Sequence, residues 1–412
     1  MKNLLVCLFL ISSVLVAQRS LERKFNPNQP VVFSIHKVPS DSIVAVYISY
    51  KVPFRNLVFV KEDDLYSSGL NLLFDILKDD EIIDRKSATS PVKISNYEKT
   101  KSAEQYIEGL VKIDLPFGNY TVRPTAKSII SQKIYPLEEI DLQLDKDSMK
   151  VLDPIVLDKI KCNGNAALVN FSNGIPYSPD NYSMLFPISD LNLDSIKVAF
   201  IQNEKTIFES TLTNPQKINI GYELCEEKLV LSSSGKEKFN LFELTGKTNL
   251  LAKEMVEITI SGSGFSTKVL KNVVWIDEPI FLRNKERAIQ LLEYMISYDE
   301  VSDLLSEDEE EYDKVLTDFW KDYDPNKSTA FNELMSVYYS RADYAMKNFS
   351  TVNNREGAFT DRGRIYIKFG KPVEIRREYS SINNTLEIWE YEKKQFIFTD
   401  KDGLGNFSLM NQ

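Results

Sequence analysis

The sequence GAFTDRGRIYIKFGKP occupies residues 357–372 and is the densest motif of the chain. A charged turn at residues 361–364 precedes an alternating segment, in which Ile365, Ile367 and Phe369 point to one side and polar or aromatic residues point to the other. Alternation with a period of two predicts a β-strand that buries one face. We therefore expect residues 364–369 to form the first strand of a sheet.

Helical patterns precede this motif and further short strands follow it. Apolar residues recur at helical spacing over residues 284–297, 306–320 and 328–349, and Ser306 with Glu309 predicts a capping box at the second helix. Strand patterns cover residues 373–378, 386–391, 395–399 and 406–410. Because helices and antiparallel strands are segregated along the chain, residues 281–412 are expected to form an α+β domain of three helices and an antiparallel sheet.

The preceding part of the chain is rich in short β-strand patterns. They occur at the spacing of β-sandwiches, so we expect two all-β, immunoglobulin-like modules at residues 25–153 and 154–278. Tyr120 follows a turn and enters a strand, which resembles the corner tyrosine of immunoglobulin-like sandwiches, whose hydroxyl group bonds the backbone. The whole chain is thus predicted to be multidomain.

Several separated motifs in the last third of the chain resemble the GWxTD domain found in bacterial envelope proteins. The matching residues are Asp318-Phe-Trp-Lys-Asp-Tyr-Asp-Pro325, Asn332-Glu333, Tyr339-Ser-Arg-Ala-Asp-Tyr-Ala345, Phe349, Thr360-Asp-Arg-Gly-Arg-Ile-Tyr-Ile367, Gly370, Pro372 and Trp389-Glu-Tyr391. The family's Gly-Trp pair is Gly357-Ala358 here, so any role of that tryptophan is absent or is taken by a neighbour such as Phe359. The resemblance implies an exported protein with β-sandwich modules before this domain, and it implies no particular reaction.

The first 17 residues have the pattern of a secretory signal peptide. Lys2 precedes an apolar run that includes Cys7 and ends at Ala17, and this run is too short for a spanning helix. We therefore expect export to the periplasm or the extracellular space, without a membrane span. In an oxidising compartment Cys162 and Cys225 are candidates for a disulfide, although two buried thiols would fit the sequence as well.

Charge and histidine content exclude several classes of function. The formal net charge of the 412-residue chain is -10, which opposes binding to nucleic acid. His36 is the only histidine. A Ser-His or Cys-His nucleophile pair, or a site with several histidine ligands, would have to be built around this one residue, which is far in sequence from the α+β domain. No catalytic residues are assigned.

The strongest group of polar candidates lies around the 357–372 motif. One interpretation is a convergent site in which guanidinium groups bind a carboxylate, a phosphate or a partner's backbone. The other is a structural network in which Arg341 bonds Asp361 and locks a helix to the sheet. The candidate residues for either role are Arg341, Asp361, Arg362, Arg364, Gly357 and Trp389.

A weaker pattern could hold calcium. The residues Asp322, Asp324, Asn326 and Glu333 have the spacing of oxygen ligands in a calcium loop. Pro325 and Lys327 disfavour that loop, and the alternative is helix capping by Asp324 or Asn326 with Glu333 paired to an arginine. No cofactor is otherwise predicted.

These patterns favour an exported cell-envelope protein that binds or scaffolds a protein or an envelope polymer without catalysis. The alternative is a carboxylate-based hydrolase that acts on an extracytoplasmic polymer in a groove beside Arg362. Two unpaired, facing carboxylates would favour the hydrolase, because glycoside hydrolysis requires such a pair. Buried and mutually satisfied arginine and aspartate side chains would favour the scaffold.

Overall fold

The structure, a computed structural model, describes residues 31–102, 105–146, 148–169, 171–233, 235–351, 356–379, 385–401 and 403–410. The predicted signal peptide at residues 1–17, with Cys7, lies outside these residues. The chain divides into an N-terminal unit, residues 1–276, and a C-terminal unit, residues 277–412. None of the helices in the described ranges has the length and apolar character required to cross a membrane.

The first half of the N-terminal unit contains strands β1 to β9 and one short helix, α1, at Tyr97–Thr100. The strands are β1 Val32–Pro39, β2 Ile43–Pro53, β3 Val60–Glu62, β4 Leu65–Lys78, β5 Glu81–Ile94, β6 Tyr106–Pro116, β7 Gly118–Ser128, β8 Ile134–Pro136 and β9 Ile140–Leu144. Strands β1, β2 and β6 form a three-stranded sheet. The other six form a second antiparallel sheet, which covers one face of the first.

The second half of the N-terminal unit contains strands β10 to β21. They are β10 Ile155–Cys162, β11 Asn165–Leu168, β12 Ile175–Pro176, β13 Met184–Ile188, β14 Ser195–Gln202, β15 Lys205–Thr213, β16 Gln216–Ile218, β17 Gly221–Cys225, β18 Lys228–Ser232, β19 Phe239–Leu244, β20 Met255–Gly262 and β21 Phe265–Val274. They build a seven-stranded sheet in the order β16-β19-β13-β10-β11-β18-β17 and a five-stranded sheet in the order β12-β21-β20-β14-β15.

Two apolar cores hold these sheets together. Alternation along β13 places Leu185 in the core shared with the first two sheets and Phe186 in the core against the five-stranded sheet. The seven-stranded sheet is therefore buried on both faces, as period-two side-chain alternation allows. Each named sheet takes its strands from one side of residue 153, but one apolar core runs across that point. The division at residues 153/154 stays a prediction.

Helices of the C-terminal unit outnumber the three that the sequence predicts. The described residues contain α2 Lys285–Gln290, α3 Tyr298–Leu304, α4 Tyr312–Asp322, α5 Glu333–Phe349 and α6 Asp361–Phe369. The predicted capping box at Ser306 is wrong, because the hydroxyl group of Ser306 donates a hydrogen bond to the carbonyl oxygen of Asp303 and the N-cap of α4 is Glu311. A capping box forms instead at Ser297, whose hydroxyl group accepts a hydrogen bond from the backbone N–H of Glu300. The coarse prediction of helices followed by an antiparallel sheet is confirmed.

The segment predicted as the first strand of that sheet is instead helix α6. Thr360 provides the N-cap, because its hydroxyl group accepts a hydrogen bond from the N–H of Gly363 at 3.0 Å. Gly370 ends the helix at a φ of +77°. Ile365 and Ile367 are both buried although they are two residues apart, because α6 packs against neighbours on more than one side. The alternation of these two isoleucines with polar or aromatic residues therefore resembles the pattern of a strand.

A four-stranded antiparallel sheet completes the C-terminal unit. Its strands are β22 Glu374–Tyr379, β23 Thr385–Tyr391, β24 Lys394–Asp400 and β25 Phe407–Met410, paired in that order. Buried Trp389 and Phe398 lie on its inner face, where Trp389 packs on Phe349 of α5 with ring centroids 5.3 Å apart. This face positions the polar residues of the candidate site.

Candidate functional site

The 357–372 motif begins with a close approach between two segments of backbone. Residues Gly357–Phe359 form a short 3-10 turn against the end of α5. A Cβ atom on Gly357 would lie 2.2 Å from the carbonyl oxygen of Ala345, and one on Gly363 would lie 2.1 Å from the carbonyl oxygen of Gly357. Both positions therefore require glycine for packing, since no larger residue fits between these carbonyl groups.

Ala358, which stands at the family's tryptophan position, is fully buried. Its carbonyl oxygen accepts a hydrogen bond of 3.0 Å from the hydroxyl group of Tyr294. The adjacent ring of Phe359 lies 4.2 Å below the guanidinium carbon of Arg287 and packs against Phe281. The aromatic contact surface of this turn is thus provided by Phe359, one residue after the alanine.

Asp361 fixes the start of α6 to the last strand. One carboxylate oxygen accepts a hydrogen bond of 3.0 Å from Arg364, and the other accepts one of 2.9 Å from the backbone N–H of Leu409. A carboxylate in the first turn also interacts favourably with the helix dipole. Asp361 and Arg364 are therefore partners of each other and of the sheet, and both remain partly exposed.

Arg362 points into the domain from the first turn of α6. Its guanidinium carbon lies 4.3 Å from the ring centroid of Phe407 and 5.3 Å from that of Phe349. It donates hydrogen bonds to Glu387 at 3.5 Å and to the carbonyl oxygen of Gly405 at 3.3 Å. Burial lowers the pKa of Arg362, and the Glu387 carboxylate opposes this shift. A guanidinium stays charged in a protein, and the carboxylate of Glu387 compensates the cost of burying that charge.

Glu387 is the centre of the arginine–glutamate network, which we define as Arg362, Arg377, Glu387 and Trp389. Its side chain is 3% exposed. One carboxylate oxygen accepts a hydrogen bond of 2.9 Å from the indole N–H of Trp389. The other accepts one of 2.8 Å from Nε of Arg377. Both oxygens of Glu387 are thus occupied by charged or indole donors.

Asp400 is a further buried carboxylate on the same face of the sheet. It is 4% exposed, and its Oδ2 atom accepts a hydrogen bond of 2.8 Å from the backbone N–H of Gly405. Its Oδ1 atom is buried without a hydrogen-bond partner among the described residues. Its negative charge acts on Arg362 together with that of Glu387. Asp400 therefore contributes to compensating the buried positive charge of Arg362.

The predicted contact between Arg341 and Asp361 is wrong. Arg341 donates hydrogen bonds to the carbonyl oxygens of Ile367 at 3.1 Å and Lys368 at 3.4 Å. These groups lie at the C-terminal end of α6, where a cation satisfies free carbonyl groups and the helix dipole. Asp361 lies at the opposite end of this nine-residue helix, which is about 13 Å long. Arg341 still joins helix α5 to α6, but through the other terminus.

Sequence analysis missed three members of the site, Arg377, Glu387 and Asp400. Glu387 and Trp389 are two residues apart on a predicted strand and therefore share a face. A carboxylate on the same strand face as a tryptophan was the available signal that this face also carries a buried charge. Arg377 lies opposite Glu387 in the register of β22 and β23, which strand pairing alone reveals.

The four calcium candidates do not converge. Asp324 accepts a hydrogen bond from the backbone N–H of Asn326, and Asn326 accepts one from Ser328. The N-cap of α5 is Asn332 and not Asp324 or Asn326 as expected. No group of three or more acidic, histidine or cysteine side chains that could hold a metal occurs within the described ranges, so Asp322 and Glu333 gain no ligating neighbours there.

The two cysteines of the N-terminal unit are joined. Cys162 and Cys225 form a disulfide with a Cα–Cα distance of 6.0 Å, within the usual range for this bond. It links β10 to β17 across 63 residues of sequence. Of the two alternatives that the sequence left open, the structure has the disulfide.

Comparison with known proteins confirms the resemblance of the last third of the chain. Residues 267–409 match the family model of the GWxTD domain. No curated protein sequence matches the chain. A solved structure with some likeness is a purple acid phosphatase from seeds of yellow lupin (Lupinus luteus), at 8% identity and a TM-score of 0.18, over 58% of this chain and 39% of the phosphatase. The chain thus spans well under half of that enzyme, and likeness at this level carries no argument about activity.

Proposed function

We propose that this protein is an exported, non-catalytic binding or scaffold protein of the cell envelope, periplasmic or extracellular, whose partner is a protein or an envelope polymer. The signal-like sequence at residues 1–17 and the Cys162–Cys225 disulfide support export, because disulfides persist in oxidising compartments. The net charge of -10 argues against nucleic acid as the partner.

The observation that carries the proposal is that the charged side chains at the start of α6 are paired within the domain. Both oxygens of Glu387 accept hydrogen bonds, and Arg362 is enclosed by Glu387, the Gly405 carbonyl oxygen and two phenylalanine rings. A hydrolytic pair would need one carboxylate free to meet substrate. Here the charged side chains fix α6 to the sheet, so the motif stabilises the domain and leaves binding to its outer surface.

The N-terminal unit is rich in β-strands, as a scaffold of this kind would be, and so supports the same proposal. We propose that its two halves are immunoglobulin-like modules. The hydroxyl group of Tyr120 donates a hydrogen bond of 3.2 Å to the carbonyl oxygen of Pro116, four residues upstream. The corner tyrosine of immunoglobulin-like sandwiches makes the same kind of contact. Sandwich modules of this kind present loops and sheet edges to partners.

The edge strand β22 is the surface of the C-terminal unit best suited to a partner protein. It stands at one end of the sheet order, and all six of its residues are exposed. Ile375 is 52% exposed and Tyr379 is 83% exposed. Four of the six residues of β22 are charged, and Ile375 and Tyr379 are its exposed apolar side chains. An exposed edge strand offers free backbone groups, and these two side chains can act as anchors, so an extended segment of another protein can add to it as a further strand.

A cross-linking pull-down from the native envelope tests this function. We expect the wild-type protein to recover a partner and Ile375→Lys to reduce recovery about tenfold, because the anchor is removed and a charge is added at the edge. The matched control is Met410→Lys, which changes an exposed residue on the opposite edge strand β25 and leaves recovery unchanged. Equal recovery by wild type and Ile375→Lys, or recovery of nothing by either, contradicts the proposal.

A further inference from the structure

A cavity of about 440 Å³ lies in the first half of the N-terminal unit, far in sequence from the family motif. We call it the cationic pocket and define it by the six lining residues that carry charge or an aromatic ring, which are Arg55, Phe59, Lys61, Tyr66, Tyr97 and Lys101. Its volume is within the roughly 300–1,000 Å³ of small-molecule sites.

The pocket is framed by backbone that is held in place. A 3-10 turn at Phe54–Asn56 provides Arg55, and helix α1 provides Tyr97. The backbone N–H groups of Phe54 and Arg55 donate hydrogen bonds to the carbonyl oxygens of Gln105, at 2.9 Å, and Ser102, at 3.0 Å. Asn96 caps α1 by accepting a hydrogen bond from the N–H of Glu98. The turn is therefore tied to the backbone that follows α1, and α1 is capped, before any ligand binds, which lowers the cost of binding.

Three cations line the pocket. Arg55, Lys61 and Lys101 are exposed, and the described part of the chain places no acidic side chain in ion-pair contact with any of them. The ammonium group of Lys101 lies 4.2 Å from the ring centroid of Tyr97 and makes a cation–π contact instead. In a chain with a net charge of -10, three cations around one cavity that have no ion-pair partner among the described residues form a local site for an anion.

The aromatic rings determine which anion fits. Tyr66 and Tyr97 have ring centroids 5.5 Å apart and an angle of 43° between their planes. Two rings inclined in this way cannot clamp a flat base between parallel faces. They offer two separate surfaces on which the C–H faces of successive sugar rings can pack.

We propose that the cationic pocket binds a segment of an acidic polysaccharide. Sugar rings pack on Tyr66 and Tyr97, while the sugar carboxylates pair with Arg55, Lys61 and Lys101. The inference rests on the proposed function and deepens it, since it assigns the envelope polymer to one chemical class and one site. Single-stranded nucleic acid also pairs cations with rings, but the inclined tyrosines and the proposed location outside the cytoplasm favour the polysaccharide.

Calorimetric titration of the purified full-length mature chain with an oligogalacturonate tests the inference. We expect saturable binding that weakens as salt is added, because the contacts are exposed ion pairs. Tyr97→Ala and the double variant Arg55→Gln/Lys61→Gln should each weaken binding about tenfold. The matched control is Lys133→Gln, which removes an exposed lysine 5.0 Å from the ring centroid of Tyr135, outside this pocket, and should leave affinity unchanged.

Three outcomes would overturn the inference. They are the absence of oligogalacturonate binding to a folded chain, equal and salt-independent binding of a neutral cello-oligosaccharide, and tighter binding of a dT oligonucleotide that is lost in Tyr97→Ala. The pull-down with Ile375→Lys separates the two proposals. If it still shows a partner that depends on β22 while oligogalacturonate does not bind, the polysaccharide site fails and the binding function stands.

Discussion

Arg362 of the C-terminal unit and Arg55 of the N-terminal unit both share their surroundings with aromatic side chains, yet their charges meet different partners. Arg362 is buried beside Phe407 and bonded to Glu387. Arg55 is exposed at a cavity where the described residues provide no carboxylate in ion-pair contact. An arginine beside aromatic rings therefore stabilises the fold where a carboxylate completes it, and it stays available to a ligand where none does.

The largest effect that this comparison predicts is at Glu387. Glu387→Gln removes the negative charge that faces two arginines and leaves Arg362 buried without its main partner. We expect the C-terminal unit to lose about 3–5 kcal/mol of unfolding free energy, because an uncompensated buried charge remains. Urea unfolding in a Trp275→Phe background measures it, since Trp320 and Trp389, the tryptophans that remain of the three, both belong to this unit.

The control for that prediction lies three residues along the same strand. Glu390 pairs with Arg376 at the surface of the sheet, and both side chains are more than one third exposed. Glu390→Gln should cost less than about 1 kcal/mol, because solvent screens an exposed pair. If both glutamine variants cost the same, the arginine–glutamate network is not the stabilising element inferred here.

How far the sequence predicts this site depends on which contacts are local. Thr360, Asp361 and Gly370 carried cap signals for a helix, but the alternating Ile365, Ile367 and Phe369 predicted a strand, and burial from several sides explains why both isoleucines are inside. These local cap signals could therefore have identified the segment as a helix and not as a strand.

The partners of Arg362 and Arg341 were harder to predict. Glu387 reaches Arg362 from a strand 25 residues later, and Arg341 reaches the far end of α6 from another helix. Such contacts depend on how the helices pack on the sheet, which period and propensity do not encode. The coarse features that were confirmed are the presence of helices, the late strands and the family resemblance. They depended on local sequence patterns.

The N-terminal unit also buries an ionisable group, but in its neutral form. His36 stacks on Tyr222 with ring centroids 4.4 Å apart, and its Nε2 atom has no hydrogen-bond partner among the described residues. Burial, together with the positive charge of Lys271, lowers the pKa of His36 from 6.5 to about 3, and Asp153 acts in the opposite direction. Arg362 stays charged because a guanidinium has an intrinsically high pKa, whereas the imidazole of His36 has a pKa low enough for burial to make it neutral.

This contrast predicts an effect of intermediate size on stability. Below pH 6.5 the unfolded chain binds a proton at His36 that the folded chain does not bind until about pH 3, so stability falls as the pH falls through this window. Between pH 7 and pH 5 the loss should be about 2 kcal/mol. Urea unfolding of the wild-type chain measures this loss. The transition to observe is the change in tryptophan fluorescence that disappears in a Trp275→Phe background.

His36→Phe is the matched variant for that experiment. Phenylalanine keeps a ring against Tyr222 and removes the only histidine of the chain. The part of the pH dependence that belongs to His36 should disappear, and the variant should be less sensitive to acid between pH 7 and pH 5. An unchanged pH dependence in this variant would show that the imidazole is not the group responsible.

The smallest expected effect is at the cationic pocket, and it completes the comparison with Arg362. Arg55→Gln and Lys61→Gln remove exposed cations that have no ion-pair partner among the described residues, so each should change the unfolding free energy by less than about 0.5 kcal/mol. Arg362→Gln removes a buried cation and leaves Glu387 without one donor, so it should cost several times more. The same urea titrations measure all three. A loss at Arg55 as large as that at Arg362 would mean that the pocket cations serve the fold, and a loss confined to Arg362 would mean that they are available for a ligand.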